Sequence, residues 1–123
     1  MARVMVVDDA AFMRGSLKFI IETAGHQVVA EVDKGEDALR LLKQHRPDIV
    51  TMDILMKGQD GLATLRQIRE VDPNAKVIMI TAMGQDTKQE EARKLGAAGY
   101  IRKPFKQTEI VSEIERVLGL TAA

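Results

Sequence analysis

Five short apolar runs alternate along the chain with five stretches whose apolar residues recur at helical spacing. The runs cover residues 4–7, 28–32, 49–53, 77–81 and 99–102; each is strand-length and most are rich in β-branched side chains. Between them the period changes from 2 to 3.6. Met13, Leu17, Ile20, Ile21 and Ala24 share one helical face, and Gly25 supplies a stop. Ala38, Leu41 and Leu42 mark a second helix that must end before Pro47. Leu62, Leu65, Ile68 and Val71 mark a third, with Asp60 as its predicted N-cap and Asp72-Pro73-Asn74 as its break. Over residues 86–95 only Ala92 and Leu95 form a convincing apolar pair, so the fourth helix is expected to be the least firmly docked. Ile110, Ile114, Val117 and Leu118 give the fifth helix the clearest stripe.

Strict alternation of strand and helix predicts an α/β domain with a parallel sheet covered on both faces. Strands one, three and four are nearly unbroken apolar runs, as burial on both sides requires, whereas strands two and five carry Glu31 and Arg102 and read as edges. This fits a doubly wound five-stranded sheet of order 2-1-3-4-5, flavodoxin-like in topology. A length of 123 residues suits one domain, with no output domain expected, and only residues 121–123 read as a frayed tail.

Charge and composition narrow the function. Lys+Arg and Asp+Glu stand at 18 each, which gives no general attraction to nucleic acid or anionic lipid. Cysteine is absent, so disulfides, thiolate metal sites and thiol redox chemistry are excluded. No run is long enough to span a bilayer and no signal-peptide pattern opens the chain, so a cytoplasmic monomer is the expectation.

The chemistry gathers at the carboxyl ends of the strands, the edge where open α/β sheets bind ligands. That edge collects Asp8-Asp9 after strand one, Asp53 closing strand three, Thr81 closing strand four and Lys103 after strand five. Taken singly, an Asp pair is a turn or cap, Thr81 an ordinary strand end and Lys103-Pro104 a surface turn. Together they are far more specific. Carboxylates ~4 Å apart repel by about 4 kcal/mol per pair at an effective dielectric near 20. A hard divalent cation compensates, and Mg²⁺ favours one or two carboxylates with retained waters and a phosphate oxygen. The Lys103 ammonium suits developing phosphoryl charge and the Thr81 hydroxyl can donate to a phosphoryl oxygen, so the constellation fits attack by Asp53 on phosphorus to give an aspartyl phosphate.

With Val7-Asp8-Asp9, Met52-Asp53-Ile54, Asp60-Gly61, Ile80-Thr81-Ala82 and Lys103-Pro104-Phe105 in place, the chain resembles the receiver domains of two-component response regulators over residues 3–118. Residues 7–14 are most similar to stand-alone CheY-type chemotaxis regulators. The resemblance implies a signalling switch rather than an enzyme with a separate substrate, catalysing only its own phosphorylation and dephosphorylation. A partner histidine kinase would be the phosphoryl donor to Asp53. Asp9, Asp53 and the backbone carbonyl of Leu55 would bind Mg²⁺, with Asp8 acting through water. Thr81 and Lys103 would contact the phosphoryl oxygens. Thr81 and Tyr100 would be switch residues that alter the face formed by helix four, strand five and helix five, to which a downstream protein target binds.

Two departures and three competing functions qualify this. Lys57 and Gln59 stand where the family usually has proline and an apolar residue, so the loop carrying Leu55 is expected to be mobile and its metal affinity affected. Leu55 and Met83, each two residues beyond a site residue, should hinder a hydrolytic water and prolong the phosphorylated state. Lys88, Arg93, Lys94, Arg102 and Lys106 would make the switching face basic; Phe105 is expected beneath the site, and His26 and His45 read as surface residues. A phosphorelay intermediate, or an interaction module that no longer accepts phosphate, would carry much the same motifs. A flavodoxin-like enzyme is disfavoured by the glycine-free turn after strand one and by only 3% aromatic residues.

Overall fold

The computed structural model describes every residue except Lys57, Met83 and the last three, Thr121, Ala122 and Ala123, so the expectations for Lys57, Met83 and the tail lie outside the described residues. The elements run β1 (Arg3–Val7), α1 (Ala11–Thr23), β2 (Gln27–Val32), α2 (Gly35–His45), β3 (Ile49–Asp53), α3 (Gly61–Val71), β4 (Val77–Thr81), α4 (Asp86–Lys94), β5 (Gly99–Arg102) and α5 (Gln107–Leu118). All strand pairs are parallel and the order is β2-β1-β3-β4-β5, as the distribution of polar residues among the strands required.

Alternation along the central strands divides the core into two layers. Met5, Val7, Val50, Met52, Val77 and Met79 face one side, where Ala38, Leu42, Leu62, Leu65, Ile68 and Ala92 of α2, α3 and α4 cover them. Val4, Val6, Ile49, Ile78 and Ile80 face the other, against Leu17, Ile20, Ile21, Ile110 and Ile114 of α1 and α5. Ala92 is the only fully buried residue of α4, in keeping with the sparse stripe read from its sequence.

His26 is a correction. It is buried, not on the surface: its Nδ1 accepts the Ala2 N–H at 3.0 Å and its Nε2 lies 3.3 Å from Glu115 Oε2. One ring therefore joins the start of β1, the start of β2 and α5 at the sheet edge opposite the acidic residues. A single-residue pattern could not show this, because both partners are distant in sequence.

Candidate functional site

Register carries the site residues to one edge. Val7 stands beside Met52, Asp53 beside Ile80, and Thr81 beside Arg102, so the residues that end or follow β1, β3, β4 and β5 emerge together. Backbone bonds fix their heights. Asp8 N–H donates to the Val32 carbonyl at 2.9 Å, Ile54 N–H to Ile80 at 3.1 Å, and Lys103 N–H to Thr81 at 2.6 Å.

Asp53 is only 7% exposed, and both its oxygens are engaged. Oδ1 accepts the Leu55 N–H at 3.1 Å, and Oδ2 accepts from Lys103 Nζ at 2.6 Å. The Lys103–Pro104 peptide bond is cis. Asp8 is 1% exposed. Its Oδ1 accepts the Ala10 N–H at 2.9 Å, but its Oδ2 is buried with no hydrogen-bond partner among the described residues. Burial pushes the Asp8 pKa up, and repulsion from Asp53 and Asp9 adds to this, against the lowering by the Ala10 N–H and Lys103. Asp8, Asp9, Asp53 and Lys103 are thus close enough to act on one another. Thr81, 1% exposed, likewise leaves its Oγ1 buried and unpartnered among the described residues.

Two orphaned buried oxygens at one edge are a cost unless something binds there. A hard cation would satisfy Asp8 Oδ2, and a hydrogen-bond acceptor would satisfy the Thr81 hydroxyl. No three His, Cys, Asp or Glu side chains among the described residues converge as a metal-holding group. Mg²⁺, which takes few carboxylates and keeps several waters, would not need such a group. An all-oxygen donor set of this size fits that ion.

Tight turns shape the rest of the pocket. A Cβ at Gly61 would collide with the Asp53 carbonyl oxygen, and Gly61 N–H donates to the Ile54 carbonyl at 2.9 Å, so only glycine lets the chain return this closely over the site strand. Asp60 is the N-cap expected of it, accepting the Ala63 N–H at 2.8 Å. Leu55 lies at the rim, 54% exposed. Phe105 is half-buried and lines a cavity of about 580 Å³ with Met13, Ser16, Ala82, Lys103 and Pro104, beside the site on the α1 side.

Residues 4–115 match the response regulator receiver domain. The chain belongs to that family. Among related proteins, this receiver is 46% identical over 115 residues to the chemotaxis protein CheY of Thermotoga maritima, spanning 94% of this chain and 96% of that one. It is 48% identical over 119 residues to the protein CcdB of Bacillus subtilis, spanning 97% and 99%. A solved LuxR-family two-component response regulator from Aurantimonas shares 35% identity and a TM-score of 0.91, over 97% of this receiver and 86% of that chain.

Elsewhere the receiver differs from its sequence reading in detail. Tyr100 is half-buried, and its hydroxyl is buried without a partner among the described residues; burial raises its pKa. The basic face is partly neutralised, since Arg93 is paired with Glu90 and Arg102 with Asp86. Arg14 has a contact that no local pattern shows: its Nη1 donates to the Asp8 carbonyl at 2.7 Å while its Nε lies 3.9 Å from Glu31 Oε1. It ties the Asp8 main chain to β2. The only signal was a basic residue one and a half turns after the acids. No described helix is long and apolar enough to cross a membrane.

Proposed function

We propose that this receiver is a phosphorylation-controlled switch in two-component signalling, in a chemotaxis pathway, with Asp53 as phosphoacceptor. The observation that carries this is the Asp53–Lys103 pair at 2.6 Å beside the orphaned oxygens of Asp8 and Thr81. An Asp53 carboxylate oxygen attacks the phosphorus of a kinase phosphohistidine, and the new O–P bond forms as the P–N bond breaks and the imidazole leaves. Lys103 meets the negative charge on the phosphoryl oxygens, and Thr81 turns its free hydroxyl towards one of them. Asp8, Asp9, Asp53 and the Leu55 carbonyl would hold Mg²⁺, which supplies charge neutralisation to the phosphoryl group. Movement of Thr81 towards the phosphoryl group, with Tyr100 on β5, would re-form the α4–β5–α5 face that a target protein reads, the receiver acting as a monomer. The similarity to CheY supports chemotaxis over a relay role.

Incubation with Mg²⁺ and a small-molecule phosphoryl donor, followed by intact mass measurement, should give a single phosphoryl adduct that Asp53→Asn abolishes. No adduct, or one that survives Asp53→Asn, leaves only an interaction module.

A further inference from the structure

The loop between β3 and α3 lacks the proline that would stiffen it, and Gly58 holds a left-handed φ of +77°, a conformation with a large entropy of ordering. Two polar side chains close it instead. Glu36, in the first turn of α2, accepts the Gln59 N–H on Oε1 at 2.8 Å. The Gln59 amide Nε2 then donates to Thr64 Oγ1 at 2.9 Å and to Gln67 Oε1 at 3.0 Å on α3. The Thr64 hydroxyl is fully buried and passes its own proton to the Asp60 carbonyl at 3.1 Å, so the chain of bonds ends with its donors used. Packing agrees independently: a Cβ at Gly35 would run into Thr64 Oγ1 and the Gln59 carbonyl, so the start of α2 is seated directly on this part of the loop.

We propose that Glu36 and Gln59 are positioning residues for the cation: a polar latch from α2 and α3 that holds the loop so that the Leu55 carbonyl stays in place beside Asp53. The two ends of the loop are then fixed by different means. Ile54 and Gly61 are joined by a backbone bond under the site, and Gln59 is held from the side by α2 and α3. Between them Leu55 is oriented by its N–H to Asp53 Oδ1. The latch therefore supplies from side chains a restraint that a proline would supply from the backbone.

This inference rests on the cation reading of the site, and the test separates the two. Metal-free protein is titrated with MgCl₂ by calorimetry, as wild type, Asp9→Asn, Glu36→Ala, Glu36→Gln and Gln59→Ala, with thermal unfolding of each metal-free form as the folding control. The expected result is saturable binding by wild type, none by Asp9→Asn, and about fivefold weaker binding by Glu36→Ala and Gln59→Ala, equivalent to ~1 kcal/mol. Glu36→Gln, which keeps a side-chain oxygen to accept the Gln59 N–H, should bind Mg²⁺ as wild type does. Wild-type affinity in both latch variants overturns the inference while leaving the cation site intact. So does a loss in Glu36→Gln as large as that in Glu36→Ala. Absence of saturable binding by wild type, or unchanged binding by Asp9→Asn, overturns the cation reading itself and the latch with it.

Discussion

Asp8 shows how a single residue is held in a state that the fold alone does not favour. Its side chain is enclosed, its Oδ2 has no donor among the described residues, and its ionised form is disfavoured first by burial and then by Asp53 and Asp9. Such a group destabilises the metal-free protein at neutral pH: with its folded pKa raised, the unfolded chain ionises first, so stability falls as pH rises from the unfolded value towards the folded one and stays lower above it. Asp8→Asn keeps the acceptor for the Ala10 N–H and removes the charge. It should stabilise the metal-free protein by about 1 kcal/mol, read as a higher urea midpoint at unchanged slope, while weakening Mg²⁺ binding. Asp53 differs from Asp8 because it has Lys103 at 2.6 Å and the Leu55 N–H at 3.1 Å. The nucleophile of the proposed reaction is thus satisfied at rest, and its neighbour is not.

At the scale of elements, β5 is the edge strand that a partner-binding face would use, and its outer side is closed by α5. Glu113 Oε2 accepts the Tyr100 N–H at 2.9 Å, and Arg116, paired to Glu113, donates to the Ala98 carbonyl at 3.2 Å. Main-chain groups that would otherwise invite another strand are taken by side chains. The Arg116 hydrogen bond, and then the Tyr100 N–H, hold the Glu113 carboxyl below its ordinary 4.5. A lowered acid pKa gives stability that is present above the unfolded value and is lost as pH falls through the folded one. Glu113→Gln should cost about 1 kcal/mol at pH 7, and the gap from wild type should close as urea titrations are taken down through the acid range below pH 4.5. The docking of α4 contrasts with this. With Ala92 as its one buried residue, it is the element with least packing to lose if the switching face rearranges.

For the whole molecule, the sheet separates two apolar layers that share strands but not side chains. Ile21 belongs to the α1–α5 layer and Ile68 to the α2–α3–α4 layer, and both are fully buried. Ile21→Val and Ile68→Val should each cost about 1 kcal/mol. Their double mutant should equal the sum within ~0.5 kcal/mol in chemical unfolding, since no contact couples them across the sheet. The same separation places the edge that carries Asp8, Asp53, Thr81 and Lys103 at one end of both layers and the His26 junction at the other, so the candidate site is carried by the strands and not by either layer alone.

The sequence by itself determined the element order, the parallel sheet, the identity of the edge strands and the placement of Asp8, Asp9, Asp53, Thr81 and Lys103 at the strand ends, because each rests on local periodicity or on chain position. Asp60 as a cap was legible for the same reason: its partner is three residues away. Only the tertiary structure decided which of those acids is paired and which is orphaned. It also decided that His26 is enclosed, that Arg14 holds the Asp8 main chain, and that Gln59 is caught between Glu36 and α3. Those bonds depend on which distant elements the fold brings into contact, and for a long polar side chain on a loop no periodicity encodes the partner.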